Sequence, residues 1–405
     1  MTDDVEPFVL ELAQALHRYG MPAYRIEDAM RRVGARLRVE LAVFSVPTGL
    51  TIGLGPLAEQ RVRLMRVQPG AISLARVAEL SELIEDFVAG ATDAPAARAR
   101  LMEIEREPPL HGPLATIAAF GLASAASAAF FHASRGETFA SVAIGLLVGS
   151  LAIAAAHSER VARLFEVLAA ALAAALAGVV HAIAPSIANE VVTLAAIIVL
   201  VPGYSVTVAL NELAAGHLSS GTARFGGALT TMLLLGCGTA IGAVAAHAIG
   251  PLAGGMQSGP SNVAALPDAS EWVALLCAPI AFKVLFQARH RDLVWIIVAS
   301  AIAYVGMRCG ARIAGPLLGA GLGALVLGVA SNVLARVRKR PSAITAVPGL
   351  LVLVPGSVGF RGVASFFEHD VAQGAEPVFR MLAIATAIVC GLLLASVVVS
   401  SRRSL

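Results

Sequence analysis

The string Val199-Leu-Val-Pro-Gly203 returns as Val352-Leu-Val-Pro-Gly356, at an offset of 153 positions (352 − 199). Each copy closes a short apolar stretch and precedes a longer one. Proline removes a main-chain N–H group and glycine tolerates strained backbone, so Pro202-Gly203 and Pro355-Gly356 predict breaks in two helices. A five-residue match in matching surroundings indicates an internal duplication, and it sets the fold that we expect.

The composition around these strings is that of a membrane protein. The chain has 405 residues, is 57% hydrophobic and 14% charged, and has a mean hydropathy of +0.79, whereas soluble domains are about 25% charged. Residues 1–112 hold 29 of the 57 charged side chains. We therefore expect a soluble N-terminal domain followed by a region in contact with the lipid bilayer. A net charge of +3, without basic runs that interleave with aromatics, predicts no nucleic-acid partner.

The membrane region contains ten apolar stretches, most of them near the roughly 20 residues that cross a bilayer core of about 30 Å. The two that end in Pro-Gly are shorter. The stretches are residues 113–131, 138–156, 162–183, 190–203, 226–249, 271–287, 293–308, 315–335, 342–356 and 378–400. Cytoplasmic loops collect Lys and Arg. Ten spans with both termini inside place 12 of these residues inside and 5 outside, a bias that an odd number of spans loses.

Ten spans divide into five per copy, and five is odd, so the second copy must cross the membrane in the opposite direction. We therefore predict about ten transmembrane helices in two inverted five-helix repeats, a plan common among secondary transporters. The expected parts are a cytoplasmic α/β domain at 1–110, a first membrane half at 111–250, an extracytoplasmic linker at 251–270 and a second half at 271–405. In such folds the substrate site lies where helices break.

The N-terminal domain has mixed patterning. Helical periodicity covers 5–18, the segment from Tyr24, and 73–88, and three short β-rich runs lie between 39 and 64. A charged helix over 95–106 ends at Pro108-Pro109, the expected domain boundary. The acidic first residues lack the pattern of a signal peptide, so we expect this domain on the cytoplasmic side.

Three stretches together resemble the threonine/serine exporter family of bacterial membrane proteins. The first runs from Gly20-Met-Pro-Ala-Tyr24 to Pro47-Thr-Gly-Leu50, the second contains Val201-Pro-Gly-Tyr204 with Asn211-Glu-Leu, and the third contains Leu353-Val-Pro-Gly-Ser-Val-Gly-Phe-Arg361. The resemblance covers nearly the whole chain and implies amino-acid efflux driven by the proton gradient across the bacterial inner membrane. Some members carry the two halves as separate chains, whereas here they are fused. Relatives with split halves are associated with dicarboxylate export.

Nine residues are candidates for the substrate path. They are Pro202, Gly203, Asn211, Glu212, Arg224, Asn332, Pro355, Gly356 and Arg361. Ionisable and polar groups within spans are costly and usually functional. Glu212 either carries a proton or the substrate ammonium, or is a solvated carboxylate on a loop helix. Arg224 and Arg361 either bind a carboxylate, for which arginine is suited, or anchor the topology. Asn332 either bridges helices or faces a cavity.

The sequence favours export of threonine and serine with protons as the coupling ion, and it keeps two alternatives open. One is export of small dicarboxylates such as succinate. The other is a membrane-anchored hydrolase acting through the N-terminal domain, although no nucleophile constellation is present there. Four isolated cysteines and the lack of a P-loop predict no metal, no cofactor and no enzyme activity. The oligomeric state is left open, a homo-oligomer included.

Overall fold

A computed structural model describes residues 5–68, 70–249, 266–267, 269–338, 340–367 and 371–399. Of the linker predicted at 251–270, residues 251–265 and 268 lie outside this described part, as do the C-terminal residues 400–405.

The N-terminal domain places four helices against a three-stranded sheet. Its elements are α1 (Val5–Arg18), α2 (Ala23–Leu37), β1 (Leu41–Val46), β2 (Gly49–Leu54), β3 (Arg61–Arg66), α3 (Leu74–Ala89) and α4 (Ala94–Arg106). The strands are antiparallel in the order β1-β2-β3. This arrangement confirms the small N-terminal sheet predicted from the sequence.

The core of this domain lies between the sheet and the helices. Leu50 and Ile52 of β2 alternate toward it, because successive side chains of a strand point to opposite faces. They join fully buried residues of α1 and α2, among them Phe8, Leu12 and Met30. Burial of each such side chain contributes about 1.5–3 kcal/mol, so the domain has a core of its own.

The remainder of the described chain is helical. Its helices are α5 (Pro113–Phe130), α6 (Arg135–Ala156), α7 (Glu159–Ala162), α8 (Phe165–Ile183), α9 (Asn189–Ile197), α10 (Gly203–Ala214), α11 (Leu218–Ile249), α12 (Ser270–Leu285), α13 (Leu293–Arg338), α14 (Ala343–Leu353), α15 (Gly356–Phe367) and α16 (Val371–Val398). By length and composition, six helices within the described residues can cross a membrane, and up to eight if each of two bent pairs forms one span. The chain is therefore a multi-pass membrane protein.

Helix α13 contains 46 residues but is not a single straight rod. Gly315 within it has φ 81° and ψ 168°, a conformation outside the helical region, and Pro316 follows. A Cβ added to Gly310 would lie 3.0 Å from the Cα of Gly319, and one on Gly306 would lie 3.2 Å from the Cα of Gly323. Residues 9 and 17 positions apart (319 − 310, 323 − 306) meet only when the chain reverses, so α13 folds back at Gly315 into two arms, 293–314 and 316–338.

Helix packing follows a reciprocal pattern. Helices α5 and α12 are in contact, α8 packs on α11, and α13 packs on α16. In addition, α10 contacts α16, while α15 contacts α11. Small residues permit these close approaches, for example Gly242 of α11 against Ala174 of α8.

Candidate functional site

Both Pro-Gly strings break a helix, as the sequence predicts. Helix α9 passes into a 3₁₀ turn over Ile198–Leu200, and α10 begins at Gly203 with its axis bent by 51°. Helix α14 ends at Leu353, and α15 begins at Gly356 after a bend of 45°. Proline in each break supplies no N–H group to continue the hydrogen-bond ladder. Each bend therefore follows from local chemistry.

The two breaks touch each other. A Cβ on Gly203 would lie 2.8 Å from the Cα of Gly356 and 2.3 Å from Cγ1 of Val354. A Cβ on Gly356 would lie 3.2 Å from the Cα of Gly203 and 3.0 Å from Cγ1 of Val201. Val201 and Val354 are equivalent in the two strings, so the contact is self-complementary, as at a local two-fold axis. Glycine is required at this crossing because side chains would clash.

A cavity of about 460 Å³ opens beside this crossing. We call it the main cavity. Its lining includes Gly203, Tyr204, Gly356 and Ser357 from the start of the two half-helices. It extends along α12 between Phe286 and Glu271. Its lining is predominantly apolar, with a few polar groups, as is usual for small-molecule sites.

The main-chain N–H groups at the start of α10 and α15 add polarity to this cavity. The first N–H groups of a helix have no acceptor within the helix. Among the described residues, no acceptor is paired with the N–H groups of Tyr204, Ser205, Gly356 or Ser357. The N-terminal end of a helix also carries partial positive charge. Two such ends therefore meet at the crossing, an arrangement that favours a bound anion.

A cluster of four polar side chains lies at the far end of the main cavity. The Glu271 carboxylate accepts hydrogen bonds from the Tyr304 hydroxyl and the Arg308 guanidinium. Nη1 of Arg308 also donates to Oη of Tyr304 at 2.8 Å, and Nε2 of His132 lies 3.2 Å from Oε1 of Glu271. The Glu271 side chain is 9% exposed and that of Arg308 is 45% exposed. We call Glu271 and Arg308 the distal pair, because they lie away from the N-terminal domain.

A second cavity, of about 320 Å³, lies between the N-terminal domain and the membrane helices. We call it the domain cavity. Gly20, Met21 and Tyr24 contribute from the N-terminal domain, and Asn211 and Asn332 contribute from the helices. Tyr204 lines both cavities. It is therefore the side chain that stands between them.

Glu212 and Arg224 form an ion pair beside the domain cavity, which we call the domain-side pair. Nε and Nη2 of Arg224 each donate to a different oxygen of Glu212 at 3.1 Å. The Ser220 hydroxyl donates to Oε2 at 2.9 Å, and the main-chain N–H of Ala23 donates to Oε1 at 3.0 Å. Glu212 is fully buried. Ala23 is the first residue of α2, so the carboxylate also faces the positive end of that helix.

Other contacts join the N-terminal domain to the helices. Nδ2 of Asn211 donates to Oη of Tyr24 at 3.2 Å, and Nη2 of Arg25 donates to the Ser342 hydroxyl at 3.3 Å. The main-chain N–H of Leu74 donates to the carbonyl of Phe286 at 2.9 Å, next to the end of α12. The domain therefore docks on helices from both parts of the membrane region.

The predicted site residues thus fall into separate places. Pro202, Gly203, Pro355 and Gly356 lie together at the crossing, whereas Asn211, Glu212 and Arg224 lie beside the domain cavity. Asn332 lines the domain cavity and donates from Nδ2 to the carbonyl of Val399 at 2.9 Å. Arg361 is exposed and lies 5.4 Å above the ring of Phe131.

The sequence analysis missed Tyr204 and the distal cluster. Tyr204 directly follows the first Pro-Gly and was not singled out. Tyr304, a polar ring inside an otherwise apolar stretch, was a usable signal. Glu271 and Arg308 stand at the ends of predicted spans, where charges ordinarily extend into water. Only the packing of α12 on α13 brings them together.

The described residues define a multi-pass helical membrane protein with two broken helices in contact, a feature of many secondary transporters. Comparison with known families specifies the group. Residues 7–245 match the family described as "Putative threonine/serine exporter", and residues 271–398 match that described as "Threonine/Serine exporter, ThrE". The chain belongs to the threonine/serine exporter family, which confirms the resemblance seen in the sequence.

Three curated relatives are fungal proteins that are longer than this chain. The chain is 25% identical over 362 residues to pheromone-regulated membrane protein 10 of Saccharomyces cerevisiae, an alignment that covers 87% of this chain and 46% of the yeast protein. The protein of the same name from Yarrowia lipolytica is 24% identical, and the alignment covers 88% of this chain and 30% of that protein. The protein of this name from Eremothecium gossypii is 22% identical, and the alignment covers 87% of this chain and 48% of that protein. The chain thus spans less than half the length of these relatives. No solved structure matches it.

Proposed function

We propose that this chain is a secondary transporter that exports threonine, serine and similar small amino acids from the cytoplasm, coupled to the proton gradient. The observation that carries the proposal is the contact of the two helix breaks at the lining of the main cavity. Broken helices in transporters expose main-chain groups to a substrate at the membrane midplane. Membership of the exporter family supports efflux rather than uptake.

The proposed architecture is ten spans in two inverted halves. Helix α12, with 16 residues, and the second arm of α13 add two spans to the eight counted by length. The first half is then α5, α6, α8, the α9–α10 pair and α11. The second is α12, the two arms of α13, the α14–α15 pair and α16. Reciprocal contacts of α10 with α16 and of α15 with α11 support a two-fold relation between these halves.

The substrate carboxylate is proposed to bind at the crossing. The N–H groups of Tyr204, Ser205, Gly356 and Ser357, which have no assigned acceptor within the described part of the chain, supply donors, and the two helix dipoles favour negative charge. Tyr204 and Ser357 line the same cavity, and both residue types can hydrogen-bond to the substrate hydroxyl. This arrangement supports a small hydroxylated amino acid as cargo.

Among the other predicted site residues, Glu212 can bind a proton or an ammonium group only if one of its present hydrogen bonds opens. All four of its hydrogen bonds come from protein donors. We propose that the domain-side pair fixes the N-terminal domain over the domain cavity, and that Glu212 becomes available only when the Ala23 contact opens. Asn211 and Asn332 would then line the cytoplasmic entrance. Arg361 would lie at the opposite end of the path.

The proposed location is the bacterial inner membrane with both termini in the cytoplasm. The loop-charge bias supports this orientation. Docking of the N-terminal domain on the α10–α11 and α12–α13 connections agrees with it, because both connections are cytoplasmic in the ten-span topology.

Efflux from proteoliposomes tests the proposal. The vesicles are loaded with labelled threonine, serine or succinate, and release is followed with and without a protonophore. We expect release of threonine and serine, and a lower rate when the proton gradient is collapsed. Release of succinate alone would favour the dicarboxylate alternative. Release of none of the three would refute export, and indifference to the protonophore would remove proton coupling.

A matched pair of glycine variants tests the crossing itself. Gly203→Val places a side chain against Val354 and Gly356, so we expect transport to fall about tenfold or more. Gly226→Val on α11 is the control, because a Cβ there meets nothing within 4 Å. Equal activity of the two variants would contradict a functional crossing.

A further inference from the structure

The distal pair combines a carboxylate and a guanidinium at one end of the main cavity. The Glu271 side chain is almost fully enclosed, and it projects from the first turn of α12. Arg308 projects from the first arm of α13. Both residues line the main cavity together with Tyr304. The pair is therefore positioned where any solute that leaves the cavity at this end must pass charged groups of both signs.

Each member of the pair has bonding capacity left. Nη1 of Arg308 is the atom that binds Glu271 and Tyr304. Among the described residues, no partner is assigned to Nε or Nη2 of this arginine, and 45% of its side chain is exposed. Two adjacent guanidinium donors are suited to a carboxylate. On Glu271, Oε2 accepts from both Tyr304 and Arg308, while the one assigned neighbour of Oε1 among the described residues is His132 at 3.2 Å. An ionised carboxylate can accept about four hydrogen bonds, so this oxygen can accept further donors.

We infer that Glu271 and Arg308 form an exit site that binds the zwitterionic head group of the transported amino acid, with the ammonium group on Glu271 and the carboxylate on Arg308. The inference rests on the proposed function and adds a residue-level basis for the class of substrate.

A zwitterion can replace the ion pair without leaving a charge unpaired. Its ammonium group substitutes for Arg308 at Glu271, and its carboxylate substitutes for Glu271 at Arg308. A dicarboxylate would bring a second anion against the enclosed Glu271. A solute with only one charged group would leave one member of the pair without a partner, and an enclosed unpaired charge is strongly unfavourable. The pair therefore selects for the head group that all amino acids share.

Aromatic rings hold the cluster in place. The Tyr304 ring packs against Phe130, with centroids 5.7 Å apart, and against Trp272 at 6.0 Å. The Arg308 guanidinium lies 5.6 Å from the Tyr304 ring centroid. This wall orients the Tyr304 hydroxyl toward Glu271, so the carboxylate keeps one neutral donor when Arg308 moves to bind a substrate.

A substrate-ratio measurement tests the exit site. Proteoliposomes loaded with labelled threonine receive one of three solutes outside, and the stimulation of label release is measured. The solutes are threonine, 3-hydroxybutyrate, which lacks the amino group, and threoninol, which lacks the carboxylate. We expect wild type to respond to threonine about tenfold more strongly than to either analogue, since a lost charged hydrogen bond is worth about one decade or more. Glu271→Gln should lose discrimination against 3-hydroxybutyrate, and Arg308→Gln should lose discrimination against threoninol.

Matched variants separate binding from general damage. Glu190→Gln and Arg312→Gln remove the same charges at exposed positions outside the main cavity. Both variants should keep the wild-type ratio of the response to threonine over the response to each analogue. If Glu271→Gln and Arg308→Gln lower all three responses equally, the pair is only a structural lock and the inference is overturned. If wild type exports neither threonine nor serine, the proposed function fails instead.

A binding measurement on wild type avoids dependence on the variants. A ligand that binds only the folded state raises thermal stability in detergent. Threonine should raise the unfolding temperature more than 3-hydroxybutyrate or threoninol does at the same concentration. Equal shifts with all three solutes would contradict recognition of both charges.

Discussion

A glutamate and an arginine meet at each end of the broken-helix core, and the two pairs differ in their enclosure. Glu212 of the domain-side pair is fully buried and takes four hydrogen bonds, one of them from the N-terminal domain. Glu271 of the distal pair lines the main cavity, and its partner Arg308 is 45% exposed. The residue types are the same. Both carboxylates are enclosed, so the pairs differ mainly in the arginine, whose side chain is 25% exposed in Arg224 and 45% exposed in Arg308.

The largest expected difference between the pairs is in stability. Arg224→Gln leaves the buried Glu212 carboxylate without its countercharge, and we expect the free energy of unfolding to fall by about 3–5 kcal/mol. Arg308→Gln also uncovers an enclosed carboxylate, but Arg308 is 45% exposed and Tyr304 still donates to Glu271, so we expect a smaller cost of about 1–3 kcal/mol. Denaturant titration of the solubilised full chain measures both values. Equal losses would contradict the distinction between the pairs.

A smaller effect is expected when only a neutral donor is removed from the domain-side pair. Ser220→Ala takes away the hydroxyl that donates to Oε2 of Glu212, at an expected cost of about 1–3 kcal/mol. The neighbouring Ser219 is exposed, so Ser219→Ala should change stability by less than about 0.5 kcal/mol. The same titration compares the two variants. A neutral result for Ser220→Ala would mean that the carboxylate finds another donor.

Docking of the N-terminal domain should weaken when Tyr24 loses its hydroxyl. Tyr24→Phe removes the acceptor for Nδ2 of Asn211, a hydrogen bond worth about 0.5–1.5 kcal/mol. Faster proteolysis near Pro108-Pro109 would report the weaker docking. Tyr19→Phe is the control, since Tyr19 also lines the domain cavity but its hydroxyl has no assigned hydrogen bond among the described residues. Equal cleavage of the two variants would show that docking does not depend on this bond.

Local chemistry explains which features the sequence could predict. The Pro-Gly breaks follow from two residue types whose backbone effects need no partner. The N-terminal elements followed from periodicity. The domain-side contact was beyond such reasoning, because Ala23 donates to Glu212 from 189 positions away. Similarly, Glu271 and Arg308 stand 37 positions apart and meet only through helix packing. Neither the Ala23–Glu212 contact nor the Glu271–Arg308 contact leaves a short-range pattern in the sequence.

The smallest predicted effect concerns pH at the domain-side end. Burial lowers the pKa of His17 below its ordinary value of 6.5, and Nε2 lies 2.8 Å from the carbonyl of Val46. The unfolded chain therefore binds this proton at a higher pH than the folded chain does. Neutral His17 contributes fully to the free energy of unfolding above pH 6.5. This contribution is lost as the pH falls through 6.5 toward the folded-state pKa.

Thermal unfolding of the full chain at a series of pH values tests this prediction. Wild type should lose stability below pH 6.5, and His17→Gln should show a shallower dependence because it removes the titrating group. His157, whose side chain is exposed, provides the control variant His157→Gln, which should retain the wild-type slope. If His17→Gln keeps that slope as well, other groups titrate in this range. A confirmed difference would place a pH-sensitive element in the domain whose Ala23 N–H group donates to the buried Glu212.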